Sequence, residues 1–368
     1  MRGSNCWILL LIFCGCVSVQ GQPSFFRKEI AVLDRPNSIV IGDFNNDSKP
    51  DLAVGGWAGT TILLNAGGGN FEHAIYVDTV ISPQLAADFD GDGRLDLIGV
   101  STGPNPAASI LLGRGDGTFQ PPRDLLGGQH DAATGDFNKD AKLDLILYNV
   151  STGDTFLLLG NGDGTFHSAT LVGRALSDQE VLTIAVDDIN RDGHNDLVLF
   201  DGWGVRILLG TGDGTFRSPI DAYVERMPGS NTHYSSSGIL LADFNRDGLL
   251  DIATRSNIML GNGDGTFQAP RFFLEASSAI SPYAHPSAAA DLNSDGHPDL
   301  VMTYGFSAPV SVFAGRGDGT LLASVEYGPG GAIVVADVDG DGLPDLVCAN
   351  LLSNSVSLLL NGSAKRPE

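Results

Sequence analysis

Seven nine-residue stretches of this chain place side-chain oxygens at a spacing suited to a hard cation. They begin at Asp43, Asp88, Asp136, Asp188, Asp243, Asp291 and Asp337, and each repeats Asp or Asn at positions 1, 3, 5 and 9. The donors are Asp43, Asn45, Asp47 and Asp51 in loop 1, Asp88, Asp90, Asp92 and Asp96 in loop 2, and Asp136, Asn138, Asp140 and Asp144 in loop 3. Loop 4 offers Asp188, Asn190, Asp192 and Asp196, and loop 5 Asp243, Asn245, Asp247 and Asp251. Loop 6 offers Asp291, Asn293, Asp295 and Asp299, and loop 7 Asp337, Asp339, Asp341 and Asp345. A backbone carbonyl at position 7 would complete each set, and glycine at position 6, present in five loops, permits a sharp turn. Six to eight oxygens at about 2.3–2.6 Å suit Ca²⁺ better than Mg²⁺, which keeps its waters, and zinc prefers softer ligands. The expected cofactor is Ca²⁺, up to seven ions. His194 and His297 stand at position 7, where only the carbonyl is needed.

The flanks show which elements must carry these loops. Ser38-Ile-Val-Ile precedes loop 1 and Leu145-Ile-Leu-Tyr follows loop 3, runs that read as strands, so the loops are not EF-hands. The loops recur at intervals of 45 to 55 residues with no helical periodicity, the pattern of a radial β array. Each unit reads as four short strands. In the first these are Ser38–Gly42, Leu52–Gly55, Thr61–Asn65 and Phe71–Val77, with the acidic loop joining strands A and B.

A second element recurs between strands C and D: Gly-x-Gly-Asp-Gly-Thr followed by Phe or Leu, starting at Gly113, Gly160, Gly210, Gly261 and Gly315, with a variant at Asn65. Asp-Gly supplies the positive φ of a tight hairpin, and the following aromatic is expected to start the outer strand and pack between sheets. A phosphate-binding loop is excluded because no Lys-Ser/Thr or helix pattern follows. The seventh unit ends after Val356–Leu360 without a fourth strand, while Ser24–Val32 resembles the outer strands. The expected fold is all-β: a seven-bladed β-propeller of four-stranded antiparallel blades, the last blade completed by the N-terminal strand, which removes exposed edges.

On these motifs the chain resembles the FG-GAP (VCBS-type) repeat family, whose blades are similar to the N-terminal β-propeller of integrin α subunits, over about residues 24 to 362. The resemblance implies Ca²⁺ on the lower face, held by positions 1, 3, 5 and 9, and protein ligands on the upper face. The chain departs from it in lacking the Gly-Ala-Pro element, in keeping the acidic loop in all seven blades, and in having no inserted adhesion domain. Integrin-like signalling is not implied.

Composition bounds the partners. The net charge of −23 excludes nucleic acid as a partner, and 42% hydrophobic residues supply a core. Residues 1–21, with the apolar run from Trp7 to Val17, read as a signal peptide, leaving 22–368 as one propeller domain with no transmembrane span. The expected location is secreted or at the cell envelope. Cys16 could take a lipid, though its flanks fit a lipobox poorly; Cys348, the one thiol of the mature chain, reads as a core side chain. Asn46, Asn149 and Asn361 open glycosylation sequons.

A–B and C–D connections share one face, so the irregular loops collect on the other. Its candidate ligand contacts are Trp57 and Trp203 from B–C turns and His130, His233, Tyr234, Tyr283 and His285 from D–A connections. The favoured reading is a recognition or adhesion module for a glycan or an extracellular protein. The alternatives are a polysaccharide lyase or hydrolase, with His130, Glu180, His233 and His285 as acid–base groups, or a calcium-stiffened structural domain.

Overall fold

The computed structural model describes residues 22–32, 35–77, 81–101, 106–128, 130–150, 152–174, 183–200, 204–224, 238–273, 284–305 and 308–362. Strand B of each repeat is a short, continuously apolar run, and such a run is stable as a strand only where both its faces are covered. Leu52 and Ala53, Leu145 and Ile146, and Leu346 and Val347 are all fully buried. Covering both faces of every sheet requires a neighbour on each side, and a ring supplies it. Seven four-stranded antiparallel sheets result, and no helix occurs among the described residues.

Blade 1 is β2 (Ser38–Gly42), β3 (Asp51–Gly56), β4 (Gly59–Asn65) and β5 (Phe71–Val77). Blades 2 to 6 take β6 (Ile81–Ala87) through β25 (Val325–Pro329) four at a time in chain order. Blade 7 joins β26 (Ala332–Ala336), β27 (Asp345–Asn350) and β28 (Ser355–Asn361) to β1 (Phe25–Ala31), with Phe25 opposite Asn361 and Ala31 opposite Ser355. The N-terminal strand thus completes the last blade. The core is divided into seven apolar clusters, one in each interface between neighbouring blades; Ile39 and Leu52 meet Val338 and Val347 across the closure.

The Gly-Asp-Gly-Thr hairpins differ from expectation in one respect. Phe119, Phe166, Phe216 and Phe267 do not start the outer strands; each closes an isolated bridge to the glycine at the end of strand C, and the outer strand begins some residues later. The early bridge leaves the ring free to turn onto the preceding blade. Phe119 meets Phe44 edge to face, with centroids 6.0 Å apart, and Phe166 meets Phe89 at 5.8 Å. Only in blade 1 does the aromatic, Phe71, start the strand itself.

Five of the hairpins also reach back by their backbone. Gly117, Gly164, Gly214 and Gly319 donate their N–H to the carbonyls of Phe44, Phe89, Phe137 and Phe244, and Gly69 closes the ring onto Val338. Blade 7 has no such hairpin, because the C–D connection is where the chain's two ends meet. Asn361 replaces it: its Nδ2 donates to the Leu292 carbonyl of blade 6 at 2.7 Å and to Pro344 at 3.0 Å. Asn361→Ala should strand the Leu292 carbonyl in a buried site and lower stability by about 1–3 kcal/mol. Denaturant unfolding measures this; a midpoint equal to the parent's would show that the closure does not need the amide.

Candidate metal loops and the opposite face

All seven acidic loops have one geometry. Backbone conformation is left-handed at positions 4 and 6 of every loop, including non-glycine residues: Asn46 and Ser48 lie at φ 59° and 65°, Lys139 and Ala141 at 58° and 62°. Glycine at position 6 was legible in the sequence as a turn requirement; the same demand at position 4 was not, because five loops place a larger residue there. Hydrogen bonds offset that strain. In loop 1 the Asp47 N–H donates to Asp43 Oδ1 and Asn45 Oδ1, both at 3.0 Å, and the Ser48 N–H donates to Asp43 Oδ2 at 2.7 Å. The Lys49 N–H donates to Asp47 Oδ1 at 3.0 Å. Loop 7 repeats the pattern through Asp341, Gly342 and Leu343. The side chains at positions 1, 3 and 5 are therefore oriented before any ion arrives.

Position 9 does something else. Asp51, Asp96, Asp144, Asp196, Asp251, Asp299 and Asp345 are all fully buried. In loop 2, Asp96 Oδ2 accepts the N–H of Phe89 at 2.9 Å and Oδ1 that of Gly113 at 2.8 Å. A Cβ at Gly113 would lie 2.2 Å from the Leu95 carbonyl oxygen, so the close return of strand C to the loop requires glycine. Burial, which outweighs these backbone donations, pushes the carboxyls of Asp96, Asp251 and Asp345 up to about 6 and Asp299 up to about 7; the like charges at positions 1, 3 and 5 add to the rise.

The donor set fits a hard cation. Asp88, Asp90 and Asp96 in loop 2, and Asp337, Asp339 and Asp345 in loop 7, present carboxylate oxygens all within 4.8 Å of one another. That separation is about twice a Ca²⁺–oxygen distance, so one ion could touch all three. These are the loops with Asp rather than Asn at position 3. Competing donors grade the loops. Lys49, Arg94 and Lys142 pair with the position-5 carboxylates Asp47, Asp92 and Asp140 at 3.0, 3.1 and 3.7 Å, and Arg217 pairs with Asp192 at 3.2 Å. In loops 5 and 6 the Asn at position 3 donates to Asp247 and Asp295. Asp341 of loop 7 has no side-chain donor among the described residues.

The opposite face is irregular. Trp57, at the β3–β4 turn, is 58% exposed, with the Arg35 guanidinium 4.7 Å from its ring centroid. His130 and His285 open inner strands rather than lying in loops: His130 pairs with Asn149, and His285 with Thr303. His285 Nδ1 lies 3.1 Å from Ser287 Oγ, and burial pulls its imidazole below the ordinary range. Trp203, His233, Tyr234, Tyr283 and Glu180 lie outside the described residues, as do residues 1–21. The structure therefore sets His130 and His285 at the start of inner strands in different blades, 3 and 6. It adds Arg255, fully buried at the turn of blade 5, and Asp131, whose carboxyl burial pushes up to about 6. Neither stands out in a single sequence.

The match to known proteins follows the same repeats. The FG-GAP-like repeat model matches residues 43–98, 88–147, 136–199, 188–254 and 291–348. No curated protein matches the chain at a significant level. Among solved structures, the fold is similar to an Agrocybe aegerita lectin recognising non-reducing terminal N-acetylglucosamine, with TM-score 0.63, 19% identity, and coverage of 89% of this chain and 86% of that one. It is also similar to the Pseudomonas aeruginosa periplasmic gluconolactonase PpgL, with TM-score 0.55, 14% identity, and coverage of 81% and 86%.

The buried carboxyls set a pH dependence for the ion-free protein. Their folded values lie above the free value of 3.8, so folding favours their protonated form. That stabilisation is full below about pH 4 and is lost as pH rises through about 6 to 7. In chelator, the melting temperature should therefore fall between pH 4 and 7; a rise across that interval would contradict the burial assignment.

Proposed function

This chain belongs to the FG-GAP-like repeat family, and we propose that it is a secreted or cell-envelope Ca²⁺-binding propeller that recognises a glycan or an extracellular protein through its upper face. One observation carries the reading: the two faces are built differently. The lower face repeats one loop and one hairpin around the ring, with loop side chains bonded to their own backbone, as a scaffold requires. Among the described residues the upper face repeats no such loop and exposes an aromatic plane, Trp57, beside a guanidinium. Variable loops on a rigid frame are where recognition resides. A lectin among the proteins of similar fold shows that such a frame can host sugar recognition, and a gluconolactonase of similar fold shows that it can also host an enzyme; His130 and His285, the candidate acid–base groups among the described residues, begin strands of different blades.

Calcium would act through the scaffold. Bound at positions 1, 3, 5 and 9, an ion would neutralise carboxylates that otherwise repel one another next to a buried partner, and would tie strand A to strand B in each blade. Binding to the native state alone adds RT ln(1+[L]/Kd) per site, roughly 2.7 kcal/mol at one hundred times Kd. Extracellular modules of comparable ligand type work at about 10⁻⁴–10⁻³ M Ca²⁺, which fits a protein beyond the plasma membrane. Cys348, fully buried and free, makes no demand on the redox state of that compartment.

Three outcomes are expected. Chelation should lower the melting temperature by many degrees, with recovery by Ca²⁺ exceeding recovery by Mg²⁺, and an unchanged melting temperature would remove the metal from the account. In calorimetric titration loop 7 should be among the tightest sites, so Asp339→Asn should weaken one high-affinity site while the loops with a cation on position 5 are unaffected. On the other face, Trp57→Ala should abolish binding to any glycan or protein found by array screening, with melting temperature and ion stoichiometry kept. Retention of that binding would relocate recognition away from this turn.

A further inference from the structure

Three of the six exposed large hydrophobic side chains of the described residues, Trp57, Tyr76 and Leu352, belong to the seam where blade 7 meets blade 1. They are 58%, 44% and 71% exposed. Contacts through Arg35 and the turns tie them together. The Arg35 N–H donates to Asn354 Oδ1 at 2.8 Å, two residues after Leu352, while its guanidinium lies over Trp57. Tyr76 Oη donates to the carbonyl of Ala58, next to Trp57. Arg35 itself is held at φ 48°.

The charge of the seam separates it from the rest of the molecule. The chain carries 44 acidic and 21 basic residues, and the cations beside loops 1 to 3 are paired with aspartates. Arg35 is bonded to no carboxylate among the described residues, and Trp57, Ala58 and Leu352 beside it carry no charge; Asp34, its neighbour in sequence, and Asp78, which follows β5, lie outside the described residues. A guanidinium fixed by an aromatic ring keeps its in-plane N–H groups for a bidentate acceptor, which a carboxylate provides. The indole beside it offers an apolar plane of the size of a sugar ring.

We propose that the Trp57–Arg35 seam between blades 7 and 1 binds an acidic glycan through a hexuronate residue, the pyranose ring against Trp57 and Leu352 and the carboxylate on the Arg35 guanidinium. This rests on the reading of the upper face as a recognition surface and narrows it to one ligand chemistry. Against an overall charge of −23, an anionic sugar is repelled from the aspartate-rich face, and Arg35 is a cation that no described carboxylate pairs.

The test uses the full chain in Ca²⁺ and two probes that differ in one group: a glucuronate oligosaccharide and its methyl ester, followed by tryptophan fluorescence. The free acid should bind at least tenfold more tightly than the ester, and the preference should shrink with salt. Arg35→Gln should erase the preference, Arg35→Lys should restore only part of it, and Trp57→Ala should abolish binding of both, each variant melting like the parent in Ca²⁺. Equal binding of acid and ester, or a preference that survives Arg35→Gln, overturns the proposal. If neither probe binds while a neutral glycan does, the hexuronate assignment fails and the recognition reading stands; if no glycan or protein ligand is found on this face, both fail.

Discussion

The structure depends on a carboxylate that never reaches the surface. In each blade the aspartate at position 9 holds two backbone N–H groups, one at position 2 of its own loop and one at the end of strand C. For Asp51 these are Phe44 at 3.0 Å and Asn65 at 2.7 Å; for Asp345 they are Val338 at 2.9 Å and Asn361 at 2.6 Å. One side chain therefore fixes the start of strand B, the exit of strand C and the entry to the acidic loop. The residue at position 2 then has its N–H committed to Asp, its side chain to the interface between blades, and its carbonyl to the next blade's hairpin. Phe44 shows all three: the bond to Asp51, the ring against Phe119, and the carbonyl accepting from Gly117. The ring is a chain of such links.

A buried carboxylate is costly while it is ionised and has only neutral donors, which explains why burial raises the position-9 values so far. An adjoining divalent ion reverses that balance, since it favours the ionised form of every carboxylate around it. The loop that orders the blade and the loop that would bind metal are thus one piece of chain, and the architecture of the blade is coupled to whatever neutralises positions 1, 3, 5 and 9. On this view the acidic composition belongs largely to the scaffold. Seven divalent ions would reduce the formal −23 to about −9, and Arg35, which no described carboxylate pairs, then faces a much weaker opposing field.

Much of this was legible in the sequence because the repeats state it seven times. Strand order, blade number and the completion of blade 7 by the N-terminal strand all follow from spacing and from one missing segment. The remainder was hidden for specific reasons. Position 9 reads as a metal ligand by type, and its burial depends on where strand C returns, which spacing does not give. The aromatic after Gly-Asp-Gly-Thr reads as the start of a strand, but a bridge to the preceding glycine detains it. Asn361 opens a sequon, yet its amide is buried and donates to two carbonyls, so the pattern marks a structural asparagine there. Contacts between residues far apart in sequence, such as Arg35 with Asn354, leave no trace in any local pattern.

The seam where the ring closes is also where the repeat is broken, and a break gives room for departure. In blades 2 to 6 the position at the end of strand C must be glycine, because a side chain would meet the carbonyl preceding Asp; Gly160 and Gly315 would place a Cβ 2.1 and 2.2 Å from it. Blades 1 and 7 carry Asn65 and Asn361 there, and both amides reach across to the neighbouring blade. The Asn65 amide thus bridges on the lower face the same seam that, on the upper face, gathers Arg35, Trp57 and Leu352, while Asn361 ties blade 7 to blade 6. Elsewhere the loops need only repeat. At the seam the connection between β1 and β2 joins the last blade to the first and is free of the repeat's constraints. A ring of near-identical parts thus acquires one distinguishable place, and recognition that does not average over seven equivalent positions requires such a place.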